Sequence, residues 1–291
     1  MTKSVTKKKR KSNGQYAIAM RQFRRNKLAM IGIVIFVLIV LACVFADQLT
    51  PYDYAKQDLT NKFAKLSLQH PLGTDNLGRD LLTRLLKGGQ ISLLVGLFAA
   101  VLSSLAGAVL GCTAAYFGGI YETFVMRVMD IFMSMPALLL ATAVATALGS
   151  GVINSIIAIA IASLARITRM MYSSALTIKN SEYLEAATAT GASRLRCIFK
   201  YVIPNCLAPL IIMASTRFGT AITQIASLSF LGLGVQPPTP EWGSILNAGK
   251  QFIRSYWPII AFPGMFIAVT LICINFIGDG LRDAFDPRLK R

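Results

Sequence analysis

The sequence predicts an all-α polytopic membrane protein of six transmembrane helices, and three observations carry that prediction. Of the 291 residues, 54% are hydrophobic and only 15% charged, whereas a soluble domain carries about 25% charged residues. The apolar residues gather into six blocks, at 28–46, 91–117, 124–148, 152–165, 206–231 and 258–277. The formal net charge of +17 is distributed unevenly, beginning with a cationic run directly before the first block. Each block reads as helix, because a helix satisfies its own backbone polar groups inside hydrocarbon.

Taken in order, the basic arm 1–27 holds Lys3, Lys7, Lys8, Lys9, Arg10, Lys11, Arg21, Arg24, Arg25 and Lys27 and no acid. Such a run keeps the N-terminus in the cytoplasm and touches anionic membrane lipid, so no nucleic-acid partner is expected. The uncharged block 28–46 has the roughly 20 residues needed to cross a bilayer core. Its VLAC ending at Cys43 faintly imitates a lipoprotein cleavage box. The basic lead is too long for a signal peptide and the apolar run exceeds the roughly 7–15 residues of one, so an anchor is expected.

Residues 47–90 balance Asp47, Asp53, Asp58, Asp75 and Asp80 against Lys56, Lys62, Lys65, Arg79, Arg84 and Lys87, and are expected as an external loop. The block 91–117 is rich in Gly, Ala and Ser at spacings that let helices pack closely. The third span, 124–148, is expected as one helix, with Arg127 and Asp130 near its inner end. The fourth, 152–165, is short and extends through Arg166 by snorkelling. In the fifth, 206–231, Arg217 lies well inside the apolar run; it can line a polar path, pair, or snorkel toward the inner face. The loop GVQPPTPEWGS is stiffened by prolines, and its Trp242 suits a membrane surface, so the loop either shapes an outer mouth or is a re-entrant packing loop. Six spans return the tail, 281–291, to the cytoplasm beside the N-terminus.

Several chemistries are excluded. His70 is the single histidine, so no histidine pair exists for a metal. Cys43, Cys112, Cys197, Cys206 and Cys273 are scattered and mostly within spans, where Cys behaves as a small hydrophobe. No nucleophile elbow is present. GSILNAGKQ, at 243–251, fails as a phosphate loop: five residues separate its glycines instead of four, and Gln251 stands where Ser or Thr would hold magnesium. No catalytic residue, metal or cofactor is therefore expected in this chain. The spans are poor in the ionisable groups that an ion-coupled carrier uses, so energy is expected from a partner.

The polar interruption at 182–205, EYLEAATATGASRLRCIFKYVIPN, reads as a helix–turn–helix on the cytoplasmic side. Ser181 is expected to cap the first helix, with Glu182 and Glu185 at its positive end. Gly191 is the residue type that leaves a helix through the left-handed region. Ser193 can cap the second helix, where Leu195, Ile198, Phe199, Val202 and Ile203 form one apolar face and Arg194, Arg196 and Lys200 crowd another side. Pro204 closes the unit. The small Ala186, Ala187 and Gly191 would admit close approach by a docking surface; an ordinary interfacial loop is the alternative.

Glu185-Ala186-Ala187, three residues, Gly191, nine residues, then YVIP at 201–204 resembles the EAA motif of ABC importer permeases, E-A-A-x3-G-x9-I-x-L-P. Tyr201 and Ile203 depart conservatively from it. HPLGTDNLGRDLLTRLLKGGQISLLVG, DIFMSMPALLLA, SLSFLGLGVQPPTPEWGSIL and GDGLRDAFDPRL are similar to the dipeptide/oligopeptide/nickel branch, specifically its C-type subunit. The resemblance implies a type I ABC importer transmembrane domain, at 91–280, with an extra N-terminal helix, in a bacterial inner or plasma membrane. It implies a homologous B-type permease partner, two ABC ATPases that bind ATP and magnesium, and an extracytoplasmic solute-binding protein. Carried onto this chain, Glu185, Ala186, Ala187, Gly191, Arg194 and Pro204 are the ATPase-docking coupling helix. Arg217, Met133 and Met135 are candidates for the pathway. Peptide is the expected cargo, with nickel or a metal chelate as the alternative. From other classes, a partner-independent channel or secondary carrier would show uptake without ATP, and a membrane scaffold or enzyme would show turnover by the isolated chain.

Overall fold

The structure, a computed structural model, describes residues 20–285; the basic arm through residue 19 and the tail from 286 lie outside the described residues. The elements that position the site are α1 (Lys27–Val44), α2 (Leu81–Phe117), α3 (Gly119–Ser134), α4 (Ala137–Leu148), α5 (Val152–Lys179), α6 (Glu182–Ala189), α7 (Arg194–Asn205), α8 (Leu207–Phe230), α9 (Trp242–Gly249) and α10 (Pro258–Phe285). Four of them, α1, α2, α5 and α10, are long and apolar enough to cross a bilayer. The bent pairs α3–α4 and α7–α8 bring the crossings to six if each pair counts as one.

The expected third span is not a single helix. It starts at Gly119 and breaks between Ser134 and Ala137, the two halves meeting at 98°. Pro136 has no N–H to continue the ladder, and it holds Met135 in the extended region at φ −101°, ψ 139°. The fourth span runs on past 165, giving α5 a length of 28 residues.

The second span begins ten residues earlier than its apolar block, at Leu81 rather than 91. Local chemistry makes the charged first turns helical. Asp80 caps α2 by accepting from the Thr83 N–H at 2.8 Å, and its other oxygen lies 2.9 Å from His70 Nδ1. Asp75 takes Arg79 Nε at 2.7 Å and lies 3.4 Å from Arg84 Nε, all three being buried. The loop before α2 is thereby locked onto that helix's N-terminal end. At 37 residues α2 is about 55 Å long, so it projects well past a 30 Å core.

The centre of the molecule is the parallel pair α2 and α5, whose C-terminal ends lie together. A Cβ on Gly111 would lie 2.4 Å from the Thr168 carbonyl oxygen, so that close crossing requires glycine. Ala99, Ala141, Ala158, Ile159, Ile225 and Leu228 join α2, α4, α5 and α8 in one cluster. α1 lies along α10, where a Cβ on Gly32 would lie 2.9 Å from the Cys273 carbonyl oxygen. Cys43 is 1% exposed, within the unbroken α1 anchor.

Trp242 is not presented on the protein's surface. It is fully buried, and its Nε1–H donates to the Leu85 carbonyl at 2.9 Å. The reason is its place on α9, which turns back into the protein between α8 and α10. Glu241 fixes that turn by accepting from the Ser244 N–H at 3.0 Å and from Ser92 Oγ at 2.8 Å. The second half of the loop packs into the protein while Gln236, Pro237 and Pro238 stay exposed, and GSILNAGKQ becomes helix with Gly243 pressed against Ala226.

Candidate functional site

The sequence 182–205 forms two short helices, α6 and α7, joined by a tight turn. Ala192 N–H donates to the Ala187 carbonyl and Gly191 N–H to the Thr188 carbonyl, each at 3.0 Å. That pair of bonds is a Schellman termination, and Gly191 supplies the left-handed residue it requires, at φ +84°. Ser193 caps α7 by accepting from the Arg196 N–H at 3.4 Å. Ser181 stands at the start of α6 but does not cap it as expected. Its hydroxyl turns back and donates to the Ile178 carbonyl at 2.6 Å, the end of α5 being only one turn away.

Two further expectations are corrected by packing. Ala187 is 7% exposed and faces inward, so it is closed to a partner. The apolar face of α7 is split: Ile198 and Val202 are buried, while Leu195 and Phe199 are 62% and 55% exposed. The two pairs lie on adjacent edges of the apolar arc, and only the Ile198–Val202 edge, within a π-helical turn, meets the core. Pro204 does not stop the helix; it sits at the start of the last helical piece, and the chain bends by 63° at Cys206, where α8 begins.

On its buried side the unit is fused to the C-terminal ends of the central helices. Leu184, Cys197 and Val202 share a cluster with Cys112 of α2 and with Ile167 and Met171 of α5. Lys179 Nζ donates to the Ala115 carbonyl at 2.9 Å, tying the end of α5 to that of α2. On the outer side Glu185, Ala186, Gly191, Arg194 and Pro204 are all exposed. A cleft of about 340 Å³ opens beside them, lined by Tyr116, Phe117, Lys179, Leu184, Glu185, Thr188 and Arg194. The handle thus presents small, apolar and charged groups on a rigid base. Exposed Leu195 and Phe199 and the walls from Tyr116 and Phe117 escaped sequence reasoning, because periodicity placed the first two in a single buried face and nothing local tied the others to α6.

The pathway candidates lie elsewhere. Met133 and Met135, 43% and 42% exposed, flank the α3–α4 break. Arg217 is half-buried on α8 and does not pair: its Nε is shielded from solvent and has no hydrogen-bond partner among the described residues. Asp130 is engaged by Arg169 of α5 and lies 3.7 Å from Arg127. Among the described residues no three His, Cys, Asp or Glu side chains gather where they could share a metal ion.

Comparison with known proteins supplies the context. A di/tripeptide transport system permease protein of Pseudomonas aeruginosa is 43% identical, the alignment covering 93% of this chain and 91% of that one. A dipeptide transport system permease protein of Alkalihalophilus pseudofirmus is 41% identical over 94% of this chain and 90% of its own. A glutathione transport system permease protein of Escherichia coli is 40% identical over 93% and 89%. Among solved structures, an inward-facing form of the MetNI methionine ABC transporter is similar in fold, with a TM-score of 0.55 at 20% identity, covering 69% of this chain and 96% of that one. Residues 14–71 match the N-terminal transmembrane domain of oligopeptide transport permease C. With residues 107–291 matching its description, the chain belongs to the family of binding-protein-dependent transport system inner membrane components.

Proposed function

We propose that this chain forms half of the translocation pathway of an ATP-driven importer of short peptides. Its partners are a homologous B-type permease subunit, two cytoplasmic ABC ATPases and an extracytoplasmic solute-binding protein. The observation that carries the reading is the α6–α7 handle, exposed on one side and fused on the other to the C-terminal ends of α2 and α5. A rigid knob outside the membrane, continuous with the central helices, is the part on which an ATPase can act. Glu185, Ala186, Gly191 and Arg194 meet the ATPase, with Leu195 and Phe199 as apolar anchors, while Ala187 holds the knob to the core. ATP and magnesium belong to the ATPases, and this chain is a non-catalytic component. The cationic run before α1 orients both termini toward the cytoplasm. Peptide as cargo is supported by the relatives, whose names specify dipeptides, di/tripeptides and glutathione. Met133 and Met135 at the α3–α4 break and Arg217 on α8 line the route.

The test is recovery of tagged chain from native membranes in mild detergent, with mass spectrometry of what accompanies it. Two ATPases, a sibling permease and a solute-binding protein are expected. A chain recovered alone, from membranes where it is abundant, overturns the reading.

A further inference from the structure

The unburied faces of the spanning helices are of two kinds. α1 shows Ile31, Val34, Leu38 and Leu41 to its surroundings, and α2 shows Leu97, Phe98 and Leu105, as lipid-facing surfaces do. α8 instead carries a row of hydroxyls at i, i+4, i+7 and i+11: Thr216, Thr220, Thr223 and Ser227, none of them buried. Each hydroxyl donates to a carbonyl of its own helix, at 3.2, 2.9, 3.4 and 2.8 Å in that order. Their oxygens retain lone pairs that can accept from a passing solute.

Arg217 stands at the edge of this row, on the side toward α5, about 15 Å along the helix from Leu207 at 1.5 Å per residue. A guanidinium at that depth faces protein or a watery cavity, because lipid does not solvate it. Arg166 of α5, an exposed cation, is close enough to repel its charge. Neither arginine has an ion-pair partner among the described residues, and Asp130 of α3 is already taken by Arg169 and Arg127. Two turns outward on the same edge, Gln224 Oε1 is likewise shielded and without a hydrogen-bond partner. A half-buried arginine with an unpartnered Nε, a second cation that repels it, an uncommitted acceptor and a hydroxyl-lined wall are together complementary to a solute that carries both a carboxylate and N–H donors.

We propose that Arg217 and Arg166 form an anion-receiving point in the translocation pathway, which takes the terminal carboxylate of the transported peptide while the hydroxyl row of α8 forms the wall leading to it. The proposal rests on the importer reading. It assigns the pair's missing counter-charge to the cargo, which makes occupation transient, as release into the cytoplasm requires.

The test needs neither ATP nor the binding protein, so it stands apart from the recovery experiment. Thr220→Cys places a reporter thiol one turn from Arg217, and the native cysteines give a silent background, being 0–2% exposed. The full chain with its partners, in inside-out vesicles, is treated with an anionic and a cationic methanethiosulfonate, each rate normalised to that with a free thiol. A preference of about tenfold for the anionic reagent is expected, the scale of focusing by a charged cleft. It should fall toward one in Arg217→Gln and in Arg166→Gln and return in Arg217→Lys. Millimolar dialanine should protect the thiol better than dialanine amide. Absence of labelling, labelling without charge preference, a preference that Arg217→Gln leaves unmoved, or equal protection by the amide each overturns the proposal. So does a preference that vanishes when phosphatidylglycerol replaces phosphatidylcholine, which would assign the pair to lipid headgroups.

Discussion

Gly191 holds the turn of the handle at φ +84°, and nothing lies within 4 Å of where its Cβ would stand. A side chain there meets no atom of its own chain, so its only internal penalty is the left-handed backbone, about 1–2 kcal/mol for an L-residue and worse for a β-branched one. Leu184, Ile198 and Val202 keep the handle seated in the core regardless. Gly191→Val is therefore expected in the membrane at wild-type abundance but with ATP-driven uptake reduced about tenfold, the equivalent of about 1.4 kcal/mol of docking. Asn tolerates the left-handed region, so Gly191→Asn keeps the turn and tests only the added bulk at the ATPase surface. Vesicle uptake normalised to membrane abundance reads both, and wild-type uptake in the Val variant refutes a docking role for this turn.

Helix α9 shows how an element can be specified by one buried carboxylate. Glu241 is fully buried at its N-terminus, where Ser92 and the Ser244 N–H donate to it and Ser244 Oγ accepts from its own N–H at 3.0 Å. Glu241→Ala leaves those donors unpaired inside the protein, a loss of about 1–3 kcal/mol. The assembled complex should melt several degrees lower in detergent, while Glu241→Gln, which still accepts from both donors, should lose less. An unchanged melting temperature for the Ala variant would mean that α9 is held by Trp242 alone. At this scale the sequence was legible wherever one local signal sufficed. Six apolar blocks identify the spans, and Gly191 and Ser193 identify the turn between α6 and α7. It was not legible where long-range contacts decide. α2 begins ten residues early because Asp75 and Asp80 neutralise and cap charges that hydropathy counts against a span. Trp242 is buried by α2 and α10, distant in sequence, and composition alone could not separate that from an interfacial position. Pro136 was visible, but an apolar run on both sides of it concealed a break of 98°.

Over the whole molecule, two unbroken helices, α2 and α5, run from the handle to the far end of the bundle, and α5 is the one flanked by jointed neighbours. α5 is unbroken for 28 residues, about 42 Å, and its C-terminal end is packed into the handle cluster through Ile167, Met171 and Ala175. Its N-terminal end packs with α4 and α8 through Ala158 and Ile159, and Gly151 N–H, just before it, donates to the Gly234 carbonyl at 3.2 Å. The neighbours are jointed instead: α3–α4 at Met135–Pro136, and α7–α8 at Cys206. A stiff rod between two jointed spans is suited to carry a displacement of the handle to the far end of α5, because close-packed helices shift as units and do not deform continuously. Weakening the rod near its midpoint should therefore separate ATP turnover from transport. Ile161 and Ala162, half-buried, lie just N-terminal of that midpoint and outside the handle cluster. Replacing both by Gly lowers helix stability by about 1–2 kcal/mol without adding volume. In proteoliposomes with the complete transporter, hydrolysis stimulated by the loaded binding protein should persist while peptide imported per ATP falls several-fold. An unchanged ratio would move the transmission to α2, the other continuous helix that reaches the handle.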